Sequence, residues 1–295
     1  MTMDELIRRR DALRFPELYD LLERNIAPQY DRREALTRLL RLVQDTEKPL
    51  VKTLSQHMRL REASVLDLGC GLGHETCNFA DAAATAVGLD RDPSRMEVAV
   101  AVARERGVSP GWVIGDATRA PFRPGSFDVV LCKHLIEHVA CPERFLRFLV
   151  GLLKPGAALY VDYPSRWHFS QLLSDDHYGL PLVVALPRPL ASFIVTRVFR
   201  YEREYSTNVF LTHRRIMKAM RGLNVSVRQV LPDPDVLVQR LGDPSTIARK
   251  FPRIVLKLLH SLGYKRALVN LARRMRAPDI ISSNVGLLFV KGRKQ

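Results

Sequence analysis

Apolar residues recur at helical spacing over residues 3–25 and 31–57, where Leu36, Leu39, Leu40 and Val43 form one stripe among charges. Pro28 separates the two stretches, and Asp31 is placed to cap the second. The rhythm changes at Ala63. From there short apolar runs alternate with helical patterns, the signature of βαβ units and a mostly parallel sheet. The pattern predicts strands over 64–68, 86–90, 111–115, 127–132 and 157–163, with helices over 74–82, 93–106 and 142–153. Over 164–211 the alternation stops, and Pro164, Pro181, Pro187 and Pro189 stand among aromatic and aliphatic residues, which reads as a lid or substrate-binding insertion. Thr212 then caps a predicted helix ending at Arg221, and strands over 224–230 and 285–291 bring the total to seven. The expected fold is α/β: a doubly wound, seven-stranded, mostly parallel sheet with N-terminal helices and helical insertions after strands five and six. The expected organisation is an N-terminal helical cap at 1–60, a core at 61–163, the insertion at 164–211, and a C-terminal part of the sheet at 212–295.

The most informative stretch is Val65-Leu66-Asp67-Leu68-Gly69-Cys70-Gly71-Leu72-Gly73-His74-Glu75. A buried strand that runs through three alternate glycines into a helix must turn sharply while its backbone approaches a ligand closely. Glycine-rich turns of this kind also bind dinucleotides and phosphates, so the glycines alone do not discriminate. Asp67 does, because a carboxylate facing the loop repels a pyrophosphate and suits a ligand carrying an ammonium group and a sulfonium. S-adenosylmethionine carries both.

This segment resembles motif I of the class I S-adenosylmethionine-dependent methyltransferases, in the branch that includes ubiquinone and menaquinone biosynthesis methyltransferases. Further matches follow in order: Gly88-Leu89-Asp90-Arg91-Asp92-Pro93, Gly115-Asp116-Ala117, Pro121-Phe122, Gly125-Ser126-Phe127-Asp128-Val129-Val130, Glu137-His138-Val139 and Leu152-Leu153-Lys154-Pro155-Gly156. The resemblance covers the central hundred or so residues and implies a Rossmann-like methyltransferase fold with S-adenosylmethionine as cofactor. It implies that Asp90 accepts bonds from both ribose hydroxyls, and that Asp116 and the backbone of Ala117 meet the adenine. Asp67, Gly69, Cys70, Gly71, Gly73, Asp90, Arg91, Asp116, Ala117 and Lys133 are the expected cofactor contacts. Arg91 departs from the family's usual aliphatic residue, although its guanidinium plane suits stacking. His74 departs from a smaller residue.

Methyl transfer from a sulfonium needs alignment and a dry site, and a base only when the acceptor must lose a proton. His134, just past the fourth strand, is the first candidate base, because imidazole titrates near neutrality. Lys133, Glu137, His138, Tyr163, Arg166 and Trp167 share the same end of the sheet, and His168, His177 and Tyr178 are further catalytic candidates. A packing or capping role competes for each histidine. Glu137 and His138 alone do not make a metal cage, and no metal site is expected.

Charge changes the picture of the acceptor. The net charge is +15, and its excess lies entirely in residues 163–295, which hold 23 basic and 8 acidic side chains against 13 and 11 in residues 1–62 and 10 and 12 in residues 63–162. In the insertion at 231–283, Ile254, Val255, Leu258, Leu259, Leu262, Leu268, Leu271 and Met275 alternate with Lys257, Lys265, Arg266, Arg273, Arg274 and Arg276, an apolar stripe on a basic helix pair. These features point to a bulky, partly apolar, small-molecule or lipid-like acceptor, with anionic groups and peripheral membrane contact both open. The same apolar faces would also close a core or a homodimer interface. Nucleic acid is disfavoured, because the stretch after the fourth strand is Cys132-Lys133-His134-Leu135, without the prolines and aromatic residue that grip a flipped base. Four unpaired-looking cysteines and an N-terminus without secretory features lead to the expectation of a cytoplasmic protein. The expected reaction is O-methylation. The alternatives are an RNA or protein methyltransferase and a non-catalytic cofactor-binding subunit.

Overall fold

The computed structural model describes residues 16–25, 48–165, 180, 183–200, 211–231 and 284–293. Its helices are α1 (Pro16–Asn25), α2 (Pro49–Ser55), α3 (His74–Ala80), α4 (Pro93–Glu105), α5 (Pro142–Leu152), α6 (Arg188–Phe193) and α7 (His213–Met220). The strands are β1 (Ser64–Leu68), β2 (Thr85–Asp90), β3 (Gly111–Ile114), β4 (Phe127–Cys132), β5 (Leu153–Pro164), β6 (Val225–Leu231) and β7 (Asn284–Lys291). They form one seven-stranded sheet in the order β3-β2-β1-β4-β5-β7-β6. The pairs β1–β2, β1–β4 and β2–β3 are parallel, and β6–β7 is antiparallel. The predicted doubly wound α/β fold is the observed one.

By compactness the chain divides into two units, Met1–Cys132 with Gly151–Ala158, and Lys133–Val150 with Leu159–Gln295. In the first, β1 reads Ser-Val-Leu-Asp-Leu with all but its first residue buried, as expected for a strand flanked on both sides and covered on both faces. Strand order reverses at β1, which neighbours β2 on one side and β4 on the other, so the loop leaving β1 lies at the topological switch point where such sheets bind ligands. Asp92 opens α4 by accepting the backbone N–H groups of Ser94 (2.9 Å) and Arg95 (3.4 Å), and Pro93 occupies the first turn, where no N–H partner is needed. The amide of Asn25 ties α1 to α4 through Glu97 (2.9 Å) and the Ser94 carbonyl (3.3 Å).

Two boundaries differ from the sequence pattern. Of the helix expected over 31–57 the described part begins at Pro49, after Lys48, whose φ of 42° and ψ of 56° are left-handed, and residues 31–47 lie outside the described residues. Proline removes a helical N–H and disfavours right-handed helix in the residue before it, which outweighs the apolar periodicity. The fifth strand begins at Leu153 rather than Ala157. Here Lys154 bonds Asp128 at 2.7 Å, while Ser126 N–H donates to the Leu152 carbonyl at 2.9 Å, so long-range partners hold an entry that its Lys-Pro-Gly composition disguises.

In the second unit β7 is buried from Val285 to Phe289. Thr212 caps α7 by accepting the Arg215 N–H, as predicted, and Ile216 and Met220 bury that helix's inner face. The Arg215 guanidinium bonds Glu143 of α5 at 2.6 Å, and the Lys291 ammonium donates to the Val150 carbonyl at 3.0 Å.

Candidate functional site

The loop between β1 and α3 is built on positive φ angles at Gly69 (70°), Gly71 (54°) and Gly73 (78°). Its backbone donors are largely committed to the protein itself. Gly69 and Cys70 both donate to the Leu89 carbonyl (2.8 and 3.1 Å), Gly73 donates to the Cys70 carbonyl (2.9 Å), and Gly71 donates to the Asp90 carboxylate (2.9 Å). A phosphate-binding turn presents such N–H groups to its ligand; these four face inward. The groups gathered here are instead carboxylates. Asp67, buried, accepts the Thr76 hydroxyl at 2.7 Å and so ties β1 to α3. Asp90, also buried, takes the Gly71 N–H on one oxygen and the Asp92 N–H (3.0 Å) on the other, leaving lone pairs on each for further donors.

Gly71 and Gly73 serve different purposes. A methyl group on Gly73 would meet the Trp112 ring at 2.7 Å and Ala99 at 2.9 Å, so this glycine lets the start of α3 pack on β3 and α4. One on Gly71 would meet nothing within 4 Å, so only the backbone conformation and the space beside it call for glycine there.

Around this loop the remaining first-unit candidates are placed as follows. Cys70 is partly buried with its sulfur 3.7 Å from that of Met96, and burial, reinforced by Asp67 and Asp90, pushes its thiol far above the usual range, so it supplies no thiolate. Asp116 is exposed after β3 and accepts the backbone N–H and hydroxyl of Thr118, both at 2.8 Å; those bonds, with Arg119 and Arg91 nearby, hold its carboxyl below the usual value. Arg91 is exposed and Ala117 buried.

The second unit holds a separate cluster. Lys133 is half-buried directly after β4, and His134 follows in the left-handed region at φ 47°. Asp162 of β5 accepts the His134 backbone N–H at 2.7 Å, which holds the strained residue in place. The His134 Nδ1 lies 3.9 Å from Glu137 and 4.0 Å from Asp162, and His138 Nε2 lies 4.0 Å from Glu137. Burial pushes the Glu137 carboxyl up to about 8, and the Asp162 charge adds to the rise against a bond from the residue's own backbone N–H. Its Oε2 is buried with no hydrogen-bond partner. The Tyr160 hydroxyl lies 3.5 Å from the other Asp162 oxygen, and its ring crosses β7 at Gly286, where any β-carbon would collide with the hydroxyl. Among the described residues no group of three or more His, Cys, Asp or Glu is arranged to hold a metal.

Sequence reasoning thus named Asp67, Gly71 and Asp90, which the fold brings together, and His134, which sits among carboxyls. It missed Asp162 and Tyr160; the one available signal was an aspartate interrupting the apolar run Ala157–Tyr163. Arg166, Trp167, His168, His177 and Tyr178 lie outside the described residues.

A doubly wound sheet with β7 antiparallel to β6, and a carboxylate-lined glycine loop at its switch point, is the arrangement expected from the resemblance to class I S-adenosylmethionine-dependent methyltransferases. Residues 66–161 match the family described as a methyltransferase domain. The ubiquinone biosynthesis O-methyltransferase of Xanthomonas euvesicatoria is 34% identical over 114 residues, 38% of this chain and 48% of that protein. Its counterpart in Methylococcus capsulatus is 31% identical over 48% of this chain and 61% of that one, and the norajmaline N-methyltransferase of Rauvolfia serpentina 31% over 33% and 35%. The chain therefore spans between about a third and three fifths of the length of these relatives. A crystal structure from Bacillus halodurans described as a methyltransferase superposes with a TM-score of 0.50 at 16% identity, over 84% of this chain and all of that one. One from Galdieria sulphuraria, described as a sarcosine dimethylglycine methyltransferase, gives 0.51 at 15%, over 84% and 85%. At these identities the two structures speak for the fold alone.

Proposed function

We propose that the chain transfers the methyl group of S-adenosylmethionine to an oxygen of a bulky, partly apolar, lipid-like acceptor. The observation that carries this reading is the loop after β1, where the N–H donors of Gly69, Cys70, Gly71 and Gly73 are closed within the protein while the buried carboxylates Asp67 and Asp90 stand at the ends of β1 and β2. Acceptors of this kind fit a cationic ligand with ribose hydroxyls and do not fit a pyrophosphate. S-adenosylmethionine, when bound, supplies a methyl group on a positively charged sulfur. Asp90 is the residue to hold hydroxyl groups, Asp67 and the loop to hold the charged end, and Asp116 to meet a base amino group.

The oxygen assignment rests on the second cluster. A hydroxyl acceptor must shed a proton as it is methylated, and His134 is the base to take it. Asp162 fixes the backbone of His134 and sets a carboxylate beside its imidazole to stabilise the imidazolium that forms, and Glu137, whose carboxyl is pushed up to about 8, adds its charge only as pH rises through that value. Asp162 and Glu137 are positioning residues in this scheme. The names of two of the relatives, both O-methyltransferases, support the same choice, while the N-methyltransferase among them keeps nitrogen as the rival atom.

Titration calorimetry with S-adenosylmethionine and with its demethylated product tests the cofactor half. Micromolar binding, weakened at least about tenfold in Asp90→Ala by loss of hydrogen bonds to a charged group, is expected. Absence of binding by folded protein removes the reading. Radiolabel from the methyl donor, offered with quinol and phenol lipids, then tests the acceptor; label that appears only in RNA or protein fractions would replace it.

A further inference from the structure

We infer that residues 183–200 form a docking element for an anionic lipid bilayer. The proposal goes beyond methyl transfer and stands without it. This stretch is a short turn of 3-10 helix (Val183–Ala185), then α6, then a π turn over Ile194–Val198. Its inner side is satisfied, since Ala191 and Val195 are buried against Leu180 and Val183, with Leu186 and Ile194 packed at the margin. The outer side is apolar as well. Leu190 is 46% exposed, Phe193 55%, Val198 58% and Phe199 50%, and they are four of the five large apolar side chains that stand out in solvent among the described residues.

The π turn contributes to this. In an unbroken α-helix Val198 would come round toward the side on which Ala191 and Val195 are buried. The wider turn, closed by Phe199 N–H donating to the Ile194 carbonyl at 2.9 Å, delays it into line with Leu190. The result is a continuous outer strip of Leu190, Phe193 and Val198, where a helix on a protein surface ordinarily carries polar residues. Arg200 then ends the helical path in the left-handed conformation at φ 55°.

Charge identifies the occupant. Residues 183–200 contain Arg188, Arg197 and Arg200 and no aspartate or glutamate, and all three arginines are exposed. An apolar strip on a stretch that carries three arginines and no carboxylate of its own matches the boundary between acyl chains and anionic headgroups, with the apolar side chains in the former and the arginines at the latter. A second copy of the chain is a poor match. A two-fold interface would set these arginines against their own counterparts with no acid from the same stretch to answer them. No described helix is long and apolar enough to cross a membrane, so the contact lies in the plane of one surface.

The test is sedimentation of the full chain with vesicles of phosphatidylcholine alone and of phosphatidylcholine mixed equally with phosphatidylglycerol. The proposal expects binding to the anionic vesicles at least about tenfold tighter than to the neutral ones, weakening with salt. Leu190→Ser with Phe193→Ser should lower that binding about tenfold. Arg197→Glu should lower it about fivefold or more on anionic vesicles and leave neutral ones unaffected. S-adenosylmethionine titration of the same variants reports their folding. Wild-type protein that ignores anionic vesicles overturns the proposal. So does binding that both variants retain in full, which would assign the attraction to the basic stretch at 231–283. A wild-type dimer that the Leu190/Phe193 double variant converts to monomer would put a second copy on this face and overturn it too. Vesicle binding without cofactor binding would sink the methyltransferase reading alone, and the converse would sink only this one.

Discussion

An added methyl group separates Gly71 from Gly73, two of the three glycines that adopt positive φ in the β1–α3 loop. At Gly71 it meets no neighbour, so Gly71→Ala should cost only the backbone strain of a left-handed residue, about 1 kcal/mol, while lowering cofactor affinity by about tenfold or more. Gly73→Ala forces Trp112 or Ala99 to move as well and should cost about 2 kcal/mol or more. Chemical denaturation beside calorimetry checks the pair, and equal losses of stability would mean that the loop packs differently. His134 carries the same strain for a different reason. His134→Gly should stabilise the protein by up to about 1 kcal/mol relative to His134→Ala, although both should lose most of the methyl transfer. Glu137 makes a prediction in pH. Its carboxyl titrates near 8 in the folded chain against an ordinary 4.5, so the folded state holds a proton that the unfolded state has released, and stability should fall as pH rises across that interval. Melting curves of Glu137→Gln should lack this fall. The wild-type transfer rate should climb through pH 8 as the Glu137 charge appears beside His134, and the variant should lose that limb while keeping its affinity for cofactor.

Element boundaries followed local chemistry where local chemistry set them. Asp92 caps α4 and Thr212 caps α7 through bonds to residues two or three positions on, and the Thr212 cap was read from its neighbours. Asp92→Ala should therefore cost about 1 kcal/mol without changing the stoichiometry of cofactor binding, as melting and titration would show. A loss of binding would mean that Asp92 also sets the Asp90 carboxylate it bonds. Where distant partners intervene the pattern misled. The apolar rhythm of 31–57 ran across Lys48-Pro49 without marking the break, and the entry to β5 looked like a turn because the bonds from residues 126 and 128 are invisible in its own composition. The π turn at 194–198 is a third case, since nothing in Ile-Val-Thr-Arg-Val distinguishes it from α-helix.

For the whole molecule, the number of strands, their sequence along the chain and the place of the glycine loop were already determined by the chain alone. Those features depend on alternation, on glycines at fixed spacing, and on acidic residues a short way along from them, all of which are consecutive or nearly so. The pairing of Asp67 with Thr76 and of Gly71 with Asp90 spans 9 and 19 residues within one βαβ unit, so the motifs foretold the cluster. The cluster around His134 was different. Asp162 reaches His134 across 28 residues, and Tyr160 lies on β7 at Gly286 only because β7 inserts between β5 and β6. A strand's own sequence does not state which strand will be its neighbour, because backbone pairing is indifferent to side-chain identity and register follows from the packing of the finished sheet. The tertiary structure alone decided that Glu137 is buried far enough to hold its proton near neutrality, and that the apolar residues at 190–198 divide between an inner and an outer face. Burial is a property of the assembled neighbours, whereas the pattern along a chain records only which residues are suited to it.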